Sequence, residues 1–228
     1  MMFLLYVLLT FLALVMLGWA SPARGRTLWF ILFLFGWTIS QFNTLIEAVV
    51  FAVMPLGNAL IQLGVALMAF ALLAALAVTC LGKWRGPSEP PVGANVTAIG
   101  IVAVLLGYQL LYFGAGTLVW PFVRDYYLAK GLPPQLLVVA LQLPRALIFA
   151  LPALLWLRTG PKYAPLILGA AFAVIGGIAP MFPDNPYMPA PIRLAHGIET
   201  GSSNFLFGLL IGWLFRRRGP AQPPHSEK

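Results

Sequence analysis

Two clusters of polar side chains lie inside long apolar stretches of this chain. The first cluster comprises Ser40, Gln41, Asn43, Thr44 and Glu47, and the second comprises Arg193, His196, Glu199, Thr200, Ser202, Ser203 and Asn204. Ionisable groups in hydrocarbon are costly, so they face a protein interior or a water-filled cavity and mark functional sites. Histidine titrates near neutral pH, and a desolvated glutamate is shifted towards it. The available chemistry is therefore proton transfer, ion binding or acid–base catalysis.

The composition shows which solvent surrounds these clusters. The chain has 228 residues, of which 61% are hydrophobic and only 9% are charged, whereas soluble domains are about 25% charged. A chain this apolar has to be solvated by lipid. The net charge of +8 does not indicate nucleic-acid binding, because the basic residues fall in short loops beside apolar segments, where they encode membrane topology. Cys80 is the only cysteine, which excludes an internal disulfide.

Seven segments have the length needed to cross a bilayer, for which about 20 apolar residues are required. They cover residues 2–20, 27–54, 57–81, 95–119, 134–157, 163–182 and 190–215. Proline and glycine clusters separate them, and Pro144 predicts a kink in the fifth. The first segment lacks the charged beginning of a signal peptide, so it is predicted to be a retained span. We predict an all-α integral membrane protein with seven transmembrane helices.

The distribution of basic residues predicts the orientation of these helices. Lysine and arginine are concentrated after the first, third, fifth and seventh spans, and positively charged loops stay in the cytoplasm. The N-terminus is therefore expected outside and the C-terminus in the cytoplasm, in a bacterial-type inner membrane. Residues 1–218 are predicted to form one domain and residues 219–228 a disordered tail. The segment from Trp120 to Gln135 is predicted to be an outer loop.

Helix geometry places the two polar clusters at one depth. With a rise of about 1.5 Å per residue, Glu47, His196 and Glu199 all fall in the outer half of the membrane. Ser40, Asn43 and Glu47 share one helical stripe. A second stripe on the seventh span contains only glycine (Gly197, Gly201, Gly208 and Gly212), which allows another helix to approach closely. The sixth span is one expected neighbour, and a partner helix from another protein is an alternative.

These positions define the predicted site. Arg145 lies too deep to reach either surface easily, so we expect Arg145 or Arg193 to pair with Glu47 or Glu199. The predicted pocket lies in the outer half of the bilayer between the second and seventh spans. Its residues are Gln41, Asn43, Glu47, Tyr112, Arg145, Arg193, His196, Glu199, Ser203 and Asn204. One histidine with two carboxylates is an incomplete metal signature, so neither a metal nor another cofactor is expected.

Three functions are compatible with such a pocket. The first is a small transporter or proton-linked carrier, since glutamate and histidine in spanning helices form proton and substrate pathways. The second is an intramembrane hydrolase or transferase acting on a lipid-like substrate, with His196 and Glu199 as an acid–base pair and Ser202 or Ser203 as the nucleophile. The third is an accessory or structural subunit in which the polar network fixes helix register. The expected partners are membrane lipids and a small-molecule substrate, without nucleic acid.

Overall fold

Seven long helices account for most of the chain in the computed structural model, which describes residues 1–86, 93–185 and 188–216. The predicted tail, residues 219–228, lies outside the described residues. The helices are α1 (Met2–Ala20), α2 (Gly25–Val50), α3 (Leu56–Cys80), α4 (Ala98–Lys130), α5 (Gln135–Leu157), α6 (Ala164–Met181) and α7 (Ala190–Phe215). Two of them contain a π-helical turn, Thr38–Phe42 in α2 and Val174–Ile178 in α6.

The six helices α1 to α6 are long and apolar enough to cross a membrane. The chain is thus a multi-pass membrane protein in its architecture. Helix α7 has 26 residues, which is sufficient length, but it is not among these six because the polar cluster from Arg193 to Asn204 lowers its hydropathy.

The helices pack around an aromatic core. Helix α7 lies along α6 and α4, α2 lies against α3, and α1 contacts both α3 and α6. Ring centroids between 4.8 and 6.2 Å apart connect the core aromatic residues, an arrangement that favours offset and edge-to-face contacts. The residues of this core are Phe35, Tyr108, Phe149, Phe172 and Phe207. They join α2, α4, α5, α6 and α7 beside the polar clusters.

The glycine stripe of α7 brings its backbone against α6. A Cβ atom on Gly208 would lie 2.5 Å from the carbonyl carbon of Leu168, and one on Gly212 would lie 2.5 Å from Cα of Pro165. No larger side chain fits at either position without moving α6. This confirms the expected close approach of the sixth and seventh segments.

Basic residues lie at one end of the bundle, where two of them donate hydrogen bonds to backbone carbonyls. The Nζ atom of Lys83 donates to the carbonyls of Gly18 and Ser21 at 2.8 and 2.6 Å, and the Lys162 amide donates to Ala20 O at 3.0 Å. We call this the basic end; its charged residues are Arg24, Arg26, Lys83, Arg85, Arg158, Lys162 and Arg216. At the opposite end α2 and α6 terminate and α7 begins, and we call it the site end.

Helix α4 corrects one prediction from the sequence. It has 33 residues and continues through Pro121 to Lys130, so the predicted outer loop from Trp120 is wrong over these residues. A proline removes one backbone donor, yet the helix continues past it, and Val123 is buried on this stretch. The helix ends only at Gly131, whose φ of +80° few other residues adopt. At 1.5 Å per residue, α4 is about 50 Å long.

Candidate functional site

A cavity of about 40 Å³ lies between five helices near the site end. Its walls come from α2, α4, α5, α6 and α7, and the buried ring of Tyr108 separates it from the rest of the aromatic core. A volume of this size holds a few water molecules or one small ion. The lining residues are Asn43, Thr44, Glu47, Tyr108, Leu111, Tyr112, Arg145, Gly176, Met181, His196, Thr200, Ser203 and Asn204.

A buried ion pair forms one wall of the cavity. The Nη1 atom of Arg145 lies 2.9 Å from Oε2 of Glu47 and donates to Oε1 of Gln142 at 2.8 Å. The Arg145 Nε–H group donates to Oδ1 of Asn43 at 3.1 Å, and the Tyr112 hydroxyl donates to Oε1 of Glu47 at 3.0 Å. A desolvated pair is maintained only when such additional hydrogen bonds satisfy it. The prediction that an intramembrane arginine pairs with a carboxylate is confirmed for Arg145 and Glu47.

A second titratable pair lies on α7, on the opposite wall. The Nδ1 atom of His196 is 3.0 Å from Oε2 of Glu199, one helical turn further along. The other carboxylate oxygen of Glu199 points towards α4, where a Cβ atom on Gly116 would lie 3.2 Å from it. Because Glu199 holds Nδ1, the Nε2 atom is the ring nitrogen left to exchange a proton with the cavity.

Three hydroxyl groups of the cavity wall use their hydrogen atoms within their own helices. Thr200 donates to the His196 carbonyl at 2.7 Å, Ser203 to the Glu199 carbonyl at 2.8 Å, and Thr44 to the Ser40 carbonyl at 3.1 Å. A hydroxyl has one donor hydrogen and two acceptor lone pairs. These groups therefore offer only acceptor oxygens to the cavity.

The π-helical turn of α2 decides which polar residues reach the cavity. Such a turn inserts one extra residue into an α-helix and is frequent at functional sites. Ser40 lies within the turn and contacts the Tyr6 hydroxyl of α1 at 3.1 Å, while Asn43 and Glu47 beyond it line the cavity. The single stripe predicted for Ser40, Asn43 and Glu47 is therefore wrong, because an uninterrupted 3.6-residue period was assumed.

Seven of the ten predicted site residues line the cavity: Asn43, Glu47, Tyr112, Arg145, His196, Ser203 and Asn204. Three do not. Gln41 donates to the Tyr6 hydroxyl at 3.1 Å. Arg193 pairs at 3.1 Å with the loop residue Asp184, which is 95% exposed. Glu199 reaches the cavity through its hydrogen bond to His196. The role of all ten in function remains a prediction.

Sequence reasoning missed one buried partner of the ion pair. Gln142 is fully buried and precedes Arg145 by three residues on α5, a spacing that places both on one helical face. That spacing was the available signal. Tyr108, which also lines the cavity, was not among the predicted site residues. Within the described ranges no group of three or more metal-ligating side chains comes together.

The fold and the cavity together define a helical multi-pass membrane protein with an ionisable site enclosed by its helices. Comparisons with protein-family models, with curated proteins and with solved structures find no match for the chain.

Proposed function

We propose that this protein is a small proton-linked carrier of a cytoplasmic-type membrane, with the enclosed cavity as its substrate site. One observation carries the proposal: the buried Arg145–Glu47 pair and the titratable His196–Glu199 pair border a cavity inside an apolar helical bundle. Charged groups retained within a bundle, against their desolvation cost, belong to proton and solute pathways.

The proposed topology has seven spans. Helix α7 packs along α4 and α6, and residues of its polar cluster line the cavity, so its low hydropathy is compatible with crossing the membrane inside the bundle. The basic end faces the cytoplasm by the positive-inside rule. This orientation puts the N-terminus and the cavity towards the outer side, and the C-terminus inside.

Proton coupling is assigned to His196 and Glu199. A proton taken up at Nε2 gives an imidazolium, which the neighbouring carboxylate stabilises at the 3.0 Å distance observed. Interrupted helices line the moving parts of many carriers, and here α2 and α6 carry π-helical turns while α5 contains Pro144 and Pro152.

Hydrolysis or group transfer receives less support from the geometry. A serine nucleophile requires a hydrogen bond to its base. Ser203 donates instead to the Glu199 carbonyl, and Ser202 is exposed and donates to the Ile198 carbonyl at 2.7 Å. Among the described hydrogen bonds, none connects either serine to His196.

Reconstituted vesicles test the carrier proposal. Purified protein is incorporated into vesicles that contain a pH-sensitive dye, and the internal pH is followed as gradients of candidate salts and organic solutes are imposed. We expect solute-dependent proton flux, unchanged solute on recovery, and loss of that flux in His196→Gln and Glu199→Gln. Arg193→Gln is the matched control, because Arg193 is on the same helix but pairs outside the cavity. Chemically altered solute, or equal flux in all variants, would contradict the proposal.

A further inference from the structure

The charged groups at the cavity do not balance one another. Arg145 neutralises Glu47, and Arg193 is neutralised by Asp184. Among the described residues, Glu199 forms an ion pair only with His196. The phenols near these groups are neutral at pH 7, as tyrosine ordinarily is; they are Tyr108 and Tyr112, with Tyr127 further along α4. With a neutral imidazole, the site therefore carries one net negative charge, which an apolar environment strongly disfavours.

The oxygen atoms of the wall are suited to a cation. Thr44, Thr200 and Ser203 present acceptor lone pairs because their hydrogens are bound to backbone carbonyls. Three of the five N–H groups of Arg145 are bound to Glu47, Gln142 and Asn43. Because the site carries one net negative charge, a hard cation is favoured over an anion, and it finds carboxylate and hydroxyl oxygens of the kind it prefers.

We propose that the cavity binds a small monovalent alkali cation, of the size of Na⁺, in exchange for the proton on the His196–Glu199 pair. The cavity volume of about 40 Å³ suits such an ion and excludes a larger organic cation. One cation replaces one proton, so the site is neutral in both states. This inference rests on the proposed carrier function, for which it names the cargo.

Binding is measured on the purified full-length protein in detergent, without any transport step. Thermal unfolding is recorded in LiCl, NaCl, KCl and choline chloride at constant ionic strength, over the neutral pH range. A ligand that binds only the folded state raises Tm with the logarithm of its concentration. We expect this rise with at least one alkali cation and none with choline. Below the pH at which the site takes up its proton, the apparent Kd should rise about tenfold for each unit by which the pH is lowered. The reason is that one proton is released per cation bound.

Two neighbouring serines provide a matched pair of variants. Ser203 and Ser202 both donate to backbone carbonyls of α7, but only Ser203 lines the cavity. Ser203→Ala should weaken cation affinity by about tenfold, the effect of losing one oxygen contact, while Ser202→Ala leaves it unchanged. Glu199→Gln should abolish the cation response, and Ser203→Ala remains informative if that variant does not fold.

The outcomes separate this inference from the carrier proposal. An alkali-specific Tm rise that falls with acid and with Ser203→Ala supports the inference even if vesicles show no flux. Equal behaviour in alkali and choline salts, or equal affinity in the two serine variants, overturns it, and solute-linked proton flux would still support a carrier with another cargo.

Discussion

Ile39 and Gly176 are in contact where the π-helical turns of α2 and α6 meet, and a Cβ atom on Gly176 would lie 3.0 Å from Cγ2 of Ile39. Each turn contains one residue more than the α-helix around it. The two widened turns thus lie side by side next to the cavity, which Gly176 also lines. The side chains that follow the widened turn in α2, Asn43 and Glu47 among them, face the cavity.

Deleting Ile39 should restore a regular α-helix across Thr38–Phe42 and abolish transport. The widened turn accommodates the extra residue locally, so the deletion should leave Asn43 and Glu47 on their face of α2 but remove the widened turn that contacts Gly176 beside the cavity. Membrane insertion should persist, because α2 would still be long and apolar. Proton flux in vesicles and protein yield in membranes measure the two effects. Ile39→Val, which keeps the residue count, is the control; full activity in the deletion would contradict the role of the turn.

Breaking the buried ion pair should cost more than removing it. Arg145→Met leaves the Glu47 carboxylate charged and unpaired, and Glu47→Leu leaves the Arg145 guanidinium charged and unpaired. Each variant should lose about 3–5 kcal/mol of unfolding free energy. The double variant should recover part of this loss. Unfolding in detergent measures all three. Arg193→Gln, at the exposed pair with Asp184, should change stability little. Strictly additive losses would show that the two side chains are not coupled.

Gly208→Ala should destabilise the bundle, because its new methyl group would lie 2.5 Å from the Leu168 backbone. Overpacking of this kind costs about 1–3 kcal/mol. Gly64→Ala on α3 is the matched control, since no atom lies within 4 Å of the position a Cβ would occupy there. Thermal unfolding of the two variants should therefore differ clearly. Equal stability would mean that α6 and α7 separate more easily than their packing indicates.

Lys83→Met should weaken the basic end. The Lys83 ammonium donates to carbonyls at the end of α1, including those of Gly18 and Ser21, which have no intrahelical donor of their own. Loss of charged hydrogen bonds costs about 1–3 kcal/mol. Arg158→Gln at the same end serves as the control, because it removes one positive charge from an exposed position. If both variants unfold alike, the effect is one of net charge rather than of capping.

The helices of this protein follow closely from composition and hydropathy, because a backbone in lipid has to satisfy its own hydrogen bonds. The end of α4 did not follow: Trp120, Arg124 and Asp125 are typical of an interface, yet the helix continues past Pro121 and buries Val123. Local sequence signals cannot report the tertiary packing that buries this residue.

The site was predictable where desolvation alone decides it. Arg145 and Glu47 both require charged partners inside the bundle, and they pair with each other. Gln41 was assigned to the cavity by its depth and Arg193 by its helical face, and both lie elsewhere. Gln41 donates to the Tyr6 hydroxyl of α1, and Arg193 pairs with a loop carboxylate, Asp184. Both contacts depend on tertiary structure.

The glycine contacts between α6 and α7 restrict how such a carrier can move. Because no side chains separate the backbones of α6 and α7 at these glycines, the two helices move as a single rigid unit. His196 and Glu199 travel with that unit, while Glu47 and Arg145 belong to the helices facing it. For the proposed carrier, alternating exposure of a bound ion would then be a rocking of one charged pair against the other, with the paired π-helical turns as the pivot.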